Sequence, residues 1–532
     1  MNRIAVIIHI VLLLISCKSG SDKKLDRVFR YNCENDITSL DPAFAANQDN
    51  TWAVYQLFNG LVQLDSNLLP IPSIAKSWEV DSSGKIYTFH LRNDVYFHPS
   101  ECFKNGDARK VIASDFAYSF GRIMDSKTAS PGAWIFNGKL TQNSLESVDD
   151  TTFRITLNQP FAPFLGILSM PYCMVVPKEG IELFGKEFSR HPIGTGAFQY
   201  KAWEQEVSLV LTKNPNYFER NSCKGNIDAI KISFVHNRQM SLLLFLEGNL
   251  EMYSGLTGAV KDYILTNEGE LQARLSNGTN MQVMPFLNTE YLAIYTDEQL
   301  SQYPWNNRDF RLAVTHAIDR DKMLKYMRNG IGRAADGGFI PVGLPGHISG
   351  LRNYNPTLAK EYLAKSGYAN NPIPIELYTN KDYSDLCIYA QKQLAEIGID
   401  CRVQVIPASH LKEEKRQGKL NFFRASWISD YPDAENYLSC FYSKSFAPNG
   451  PNYTHFSSKD FDKLYEMSIV ETNDSVRYEL YRQMDRLIMD EAPIIVLFYD
   501  ESIRLTSKAV SGLENNALNI PNLKHVRLAK LE

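Results

Sequence analysis

Between Tyr383 and Val405 the hydrophobic period of the chain changes in mid-course, and that change restricts the fold more than any other local feature. Leu386, Ala390, Leu394 and Ile397 recur at helical spacing, and Gly398 interrupts them. Ile399, Cys401, Val403 and Val405 then alternate as a strand. A helix that turns directly into a strand predicts α/β architecture. The same grammar recurs elsewhere. Asn355-Pro356 opens a helix with proline in its first turn, and Gly367 closes it. Phe116, Phe120, Ile123 and Met124 share one face of a helix that Ser114 is expected to cap. Val476, Leu480, Met484, Leu487 and Ile488 form another apolar stripe, followed by a buried strand over Pro493–Phe498. Turn-rich breaks fall near Pro192–Gly196, Pro285, Gly337–Gly346 and Ala447–Pro451. With 532 residues, at roughly 150 per domain, about three domains are expected.

The amino-terminal segment bears on compartment. Arg3 precedes an apolar run, Ile4 to Ile15, that is too short to cross a hydrocarbon layer of about 30 Å. Its length suits a secretory signal peptide. Leu14-Ile15-Ser16-Cys17 resembles the bacterial lipobox, so residues 1–16 are read as the signal and Cys17 as the acylated first residue of the mature protein. The alternative is an ordinary signal peptide that contains a cysteine. Residues 17–26 are polar and read as a tether. The membrane is expected to be met through that anchor alone.

Composition closes several routes. The formal net charge of −4 leaves no positive field to release phosphate counterions, which argues against nucleic-acid binding. Beyond Cys17 the cysteines are Cys33, Cys102, Cys173, Cys223, Cys387, Cys401 and Cys440, without a CxxC pair, and most are read as buried apolar thiols. Gly330-Ile331-Gly332-Arg333-Ala334-Ala335 matches a dinucleotide fingerprint in letters. It follows a helical pattern rather than a strand, so it reads as a helix C-terminus. His90, His98 and Cys102 lie close in sequence, but His90 sits on the outward side of an alternating strand and the other two on a loop, so no metal site is assigned. No nucleophile is spaced with a base and an orienter, so no catalytic residue is assigned either. An extracytoplasmic peptidase is the alternative from another class, and detection of peptide cleavage would promote it.

Seven motifs occur in family order across nearly the whole chain. They are Tyr55–Val62 with Pro70–Val80, Tyr87–His98, Ser114-Asp115-Phe116 with Arg122, Pro192–Gly196, Asn214–Phe218, Asn307–Lys322, and Trp427–Leu438. Together they resemble the peptide/nickel class (family 5) of extracellular solute-binding proteins that serve ABC transporters, the dipeptide and oligopeptide binders. The loop from Pro99 to Ile112 is longer than the family's usual form. The resemblance implies a two-lobed periplasmic-binding-protein fold of type II in its large three-domain form, closing on ligand by a hinge. The boundaries expected are lobe I at 27–57, 190–287 and 495–532, an additional domain at 58–189, and lobe II at 288–494. Chain crossings are expected near Gly185–Pro192, Pro285–Tyr291 and Asp490–Ile495. The partners implied are a short peptide, an ABC permease and its ATPase, for a monomeric receptor without a cofactor. Nickel chelates, haem and oligosaccharides are alternative ligands within this class.

Strand alternation places Arg424, Ser426, Ile428 and Asp430 on one face. By resemblance to oligopeptide-binding relatives, Asp430 would pair with a peptide's α-ammonium group and Arg424 would accept its carboxylate. The strand between them would hydrogen-bond the peptide backbone. Trp427 and Tyr431 would help line side-chain pockets. The opposing segment, after Asp41-Pro42, would bring in Ala46 and Gln48; relatives carry an acidic residue where this chain has Ala46. Nickel-binding relatives lack an aspartate at the position of Asp430.

Overall fold

The computed structural model describes residues 26–296, 304–351 and 353–529. The expectations for the signal segment, for Cys17 and for nearly all of the tether therefore lie outside the described residues. A large mixed sheet organises the chain. Its strands run in the order Cys401–Val405, Ile375–Thr379, Phe422–Ile428, Thr279–Ile294, Ile494–Ser507, Met252–Ser254, Val28–Cys33, Ala229–Phe234, Ser208–Lys213 and Phe198–Glu204.

Two strands in the middle are unusually long, and they make the fold two-lobed. Thr279–Pro285 pairs with Glu501–Ser507 beside the strands of the first lobe. Thr289–Ala293 pairs with Ile494–Tyr499 beside the strands of the second. The register shifts between Pro285 and Thr289, where proline has no N–H to give to the ladder. Main chain therefore passes between lobes at residues 286–288 and around Asp500. The segment Asp490–Ile495 is the end of helix Asp474–Glu491, a left-handed cap at Ala492, and the first residues of the strand. Within Gly185–Pro192, Gly185–Ser189 continues the short helix Lys178–Phe184 as a 3-10 turn, and Leu40 donates its N–H to the Ser189 carbonyl (2.9 Å).

A separate four-stranded sheet, Ala75–Val80, Ile86–Leu91, Thr152–Thr156 and Leu145–Asp149 in that order, lies between residues 75 and 156. Helix Ala113–Met124 covers it, with Phe116 and Phe120 both within 6 Å of the Phe153 ring (5.9 and 5.8 Å). Its core is continuous with that of the first lobe.

The helices follow their sequence signals closely. Asn355 caps Pro356–Lys365 through the Leu358 N–H (3.0 Å), and Gly367 follows at φ +82°. Ser384–Ala395 precedes Gly398 at φ +92° and strand Cys401–Val405. Arg320–Arg328 ends in left-handed Asn329, so the G-x-G-x-x-A letters do follow a helix. One cap moves. Helix Ala113–Met124 starts ahead of Ser114, because the Asp115 carboxylate reaches back to the Ile112 N–H (2.9 Å) while held by Arg109. His98 lies on a loop, as expected, but is buried there. Its Nε2 meets the Gly196 carbonyl (3.1 Å), and burial lowers its pKa to about 4. Among the described residues no group of three or more potential metal ligands converges. All seven cysteines beyond Cys17 are free thiols; five are buried, while Cys102 and Cys223 are partly exposed.

Candidate functional site

The wall contributed by the first lobe is built from Asp41 outward. The Asp41 carboxylate caps the short turn Pro42–Phe44 through the Ala43 N–H (3.0 Å) and forms a buried ion pair with Arg122 (Nη1, 2.8 Å). Asn47 then caps helix Gln48–Leu57 through the Asn50 N–H (2.9 Å). The C-terminal end of that helix rests on the turn Pro192–Gly196. A β-carbon on Gly194 would fall 1.9 Å from the Leu57 carbonyl oxygen, so only glycine allows the approach. Ala46 and Gln48 are thus presented, exposed, at the front of a fixed helix.

Facing them is the edge of the second lobe. Strand Phe422–Ile428 pairs antiparallel with the crossing strand, with Ile428 opposite Asn288 and Ser426 opposite Glu290. Two cavities open between the lobes along this line, of about 330 Å³ and about 290 Å³. Gln48, Phe286 and Ile428 line both and so mark the boundary between them. Asp430 and Ala46 belong to the larger one, Ser426 to the smaller.

The two charged residues of the site strand are placed very differently. The Arg424 side chain lines neither cavity. It is held by Glu290 in a bidentate pair (Nε to Oε2, 2.9 Å; Nη2 to Oε1, 2.6 Å) and covered by the Tyr383 ring, 3.2 Å from its guanidinium carbon. Burial alone would lower its pKa, but Glu290 beside it more than compensates. The pair continues across the crossing. Asn288 donates from Nδ2 to Glu290 (3.1 Å) and to Asp500 (3.1 Å), and Asp500 accepts from Arg328 (2.5 Å).

Asp430, by contrast, has no ion-pair partner among the described residues. Its carboxylate accepts from Asn436 Nδ2 (3.2 Å), and its own N–H donates to Asn436 Oδ1 (3.1 Å). The residue is open to solvent within the cleft, yet protein encloses that cleft, and the enclosure raises its pKa to about 6.

Trp427 points from the opposite face of the strand, as a period of two requires. Its Nε1 donates to Asn436 Oδ1 (3.0 Å), so its role is to orient Asn436 behind Asp430. Tyr431 is buried, its hydroxyl bonded to Glu435 and its ring stacked on Trp134 at 6.4 Å. Neither borders the cavities. Sequence reading missed the larger cavity's other walls, Trp52, Met170, Tyr172, Phe286 and Ile520. They come from separate segments, and the only local signal among them is Phe286, which follows the Pro285 break.

The cations around the smaller cavity are already satisfied. Arg238 pairs with Glu34, Lys261 with Asp262 (2.7 Å) and Arg328 with Asp500.

Two lobes joined by long strands around a strand-edged cleft define the architecture of a solute-binding protein. The chain belongs to the bacterial extracellular solute-binding proteins, family 5, whose profile matches residues 70–449. It is similar to the dipeptide-binding protein DppE of Bacillus subtilis (24% identical, covering 95% of this chain and 94% of that one). It is similar also to the periplasmic oligopeptide-binding protein OppA of Salmonella typhimurium (26%; 90% and 88%). Among solved structures, the periplasmic binding protein DppA of Helicobacter pylori in complex with the peptide STSA superposes with a TM-score of 0.79 at 26% identity, covering 94% of this chain and 98% of that one.

Proposed function

We propose that this protein is an extracytoplasmic receptor that encloses a short peptide between its lobes and delivers it to an ABC permease. The observation that carries the reading is Asp430, an enclosed carboxylate without a cation among the described residues, just past the end of a strand that edges the cleft. An α-ammonium group is a cation of suitable size to complete that site, and a strand edge recognises peptide backbone whatever its side chains. The peptide names of the relatives support the same reading. The proposed lobe boundaries follow the crossings, with lobe II running from about residue 289 to 499 and an additional domain near 58–189 joined to lobe I.

Arg424 enters the proposal in a changed role. With Glu290 occupying its guanidinium, it braces the crossing strand rather than meeting a ligand carboxylate. Ser426, Ile428, Gln48 and Ala46 remain as contact positions.

Removing one partner of a desolvated charge pair costs about 2–5 kcal/mol. By calorimetry, Asp430→Ala therefore weakens binding of a free tripeptide by well over tenfold, and N-acetylation of the peptide does the same to the wild type. A mutant that binds free and acetylated peptides as tightly as wild type overturns the reading. Anchoring through Cys17 is the second part of the proposal, resting on the lipobox-like Leu14–Cys17. Cys17→Ser should move the protein from the detergent phase to the aqueous phase; unchanged partitioning would exclude the anchor.

A further inference from the structure

We propose that the cavity beside Asp430 receives the side chain of the ligand's first residue and selects a large apolar or aromatic one. The inference rests on the peptide reading above and goes beyond it, to a preference that the relatives' names do not specify.

Asp430 is the one charged residue among the described residues that line this cavity. Much of the remaining wall is apolar or aromatic: Trp52, Met170, Tyr172, Phe286, Ile428 and Ile520. Trp52, Met170 and Tyr172 are themselves buried, so the back of the pocket is continuous with core packing, while Ala46, Ile428 and Asp430 at its mouth are exposed. Ile428 stands at the boundary with 51% of its surface exposed, an apolar contact left without a cover. At about 330 Å³ the space is within the range of small-ligand pockets, roughly 300–1,000 Å³.

The chemistry of an amino acid connects these observations. The α-ammonium group and the β-carbon hang from the same α-carbon. An ammonium placed on Asp430 therefore puts the first side chain into the same cavity. An apolar side chain removes its own surface, that of Ile428 and that of the aromatic walls from water together. A carboxylate there would be enclosed beside Asp430 with no cation to pair with, and a hydroxyl would gain no apolar contact. The peptide then continues past Ile428 towards Ser426, into the smaller cavity, whose rim carries both signs of charge.

Calorimetry on the full-length protein with Phe-Ala-Ala, Met-Ala-Ala, Ser-Ala-Ala and Asp-Ala-Ala, and with N-acetyl-Phe-Ala-Ala as control, tests this. Phe-Ala-Ala and Met-Ala-Ala should bind at least tenfold more tightly than the Ser and Asp peptides, and the acetylated peptide should bind at least tenfold more weakly than its parent. If all four free peptides bind alike while acetylation still weakens binding, the side-chain inference is overturned and the peptide reading stands. If none binds, or acetylation changes nothing, both fall. Ala46→Glu, at an exposed position on the rim of the same cavity, supplies the second arm. It should weaken Phe-Ala-Ala by at least fivefold and strengthen Lys-Ala-Ala. An unchanged ranking in that variant would place the first side chain elsewhere.

Discussion

Arg424 and Asp430 lie six residues apart on the same side of one extended segment, yet they occupy opposite electrostatic situations. Arg424 is buried with its charge matched by Glu290 and its face covered by Tyr383. Asp430 is enclosed with an amide for a neighbour and no matching charge among the described residues. A buried charge that already has its partner belongs to the framework. A charge held in an enclosure without one raises the free energy of the empty protein and lowers it when a counter-charge arrives. The two residues thus separate a charge that braces the crossing strands from one left without a counter-charge among the described residues.

The largest effect expected is on the framework side. Glu290→Gln keeps the shape but leaves the Arg424 charge uncompensated, and breaking a buried pair in this way costs about 3–5 kcal/mol. Denaturant unfolding of Glu290→Gln and Asp430→Asn at pH 8 should show a loss of that size in the first and no loss in the second. Equal losses would erase the distinction between the two residues.

Acid separates them next. The native pKa of Asp430, about 6, lies above its unfolded value near 3.8. The folded state therefore binds more protons between those values, and this group's contribution to stability is largest below about pH 4 and is lost as pH rises through 6. Peptide binding runs the other way, since only the ionised carboxylate pairs with an ammonium group. Affinity should fall by up to tenfold per pH unit below about 6, about 1.4 kcal/mol per unit, and level off above it. Asp430→Asn should flatten that dependence in titrations from pH 4.5 to 8; a wild-type profile already flat across this range would remove Asp430 from the binding step.

The smallest effect belongs to Tyr383, which covers Arg424 from the position just ahead of helix Ser384–Ala395. Tyr383→Leu keeps an apolar cover but loses the ring's attraction for the guanidinium, at about 1 kcal/mol. Unfolding midpoints should shift accordingly; an unchanged midpoint would mean that the ring does not hold the guanidinium.

Much of this protein was readable before any tertiary contact was known, and the readable parts share a length scale. The cap at Asn355, the stop at Gly398 and the switch from helix to strand between Ala395 and Cys401 depend on neighbours within about four residues. The alternation that sets Ile428 and Asp430 towards the cleft and Trp427 away from it depends on neighbours two residues off. Ser114 was misjudged as a cap even at this range, because Asp115 competes for the same N–H groups and wins through its bond to Arg109. What only the tertiary structure decided lies at longer range. Glu290 is 134 residues from Arg424 in the chain and reaches it because the register of two antiparallel strands sets Leu292, not Glu290, directly opposite. The apolar cavity draws Trp52, Tyr172, Phe286 and Ile520 from four distant segments. Periodicity and capping are written into consecutive residues, so sequence alone determined the family, many of the elements and the side of the strand on which Asp430 lies. Pairing of buried charges and the lining of a cleft arise only when separate segments are packed against each other, and no local pattern records which of them will meet.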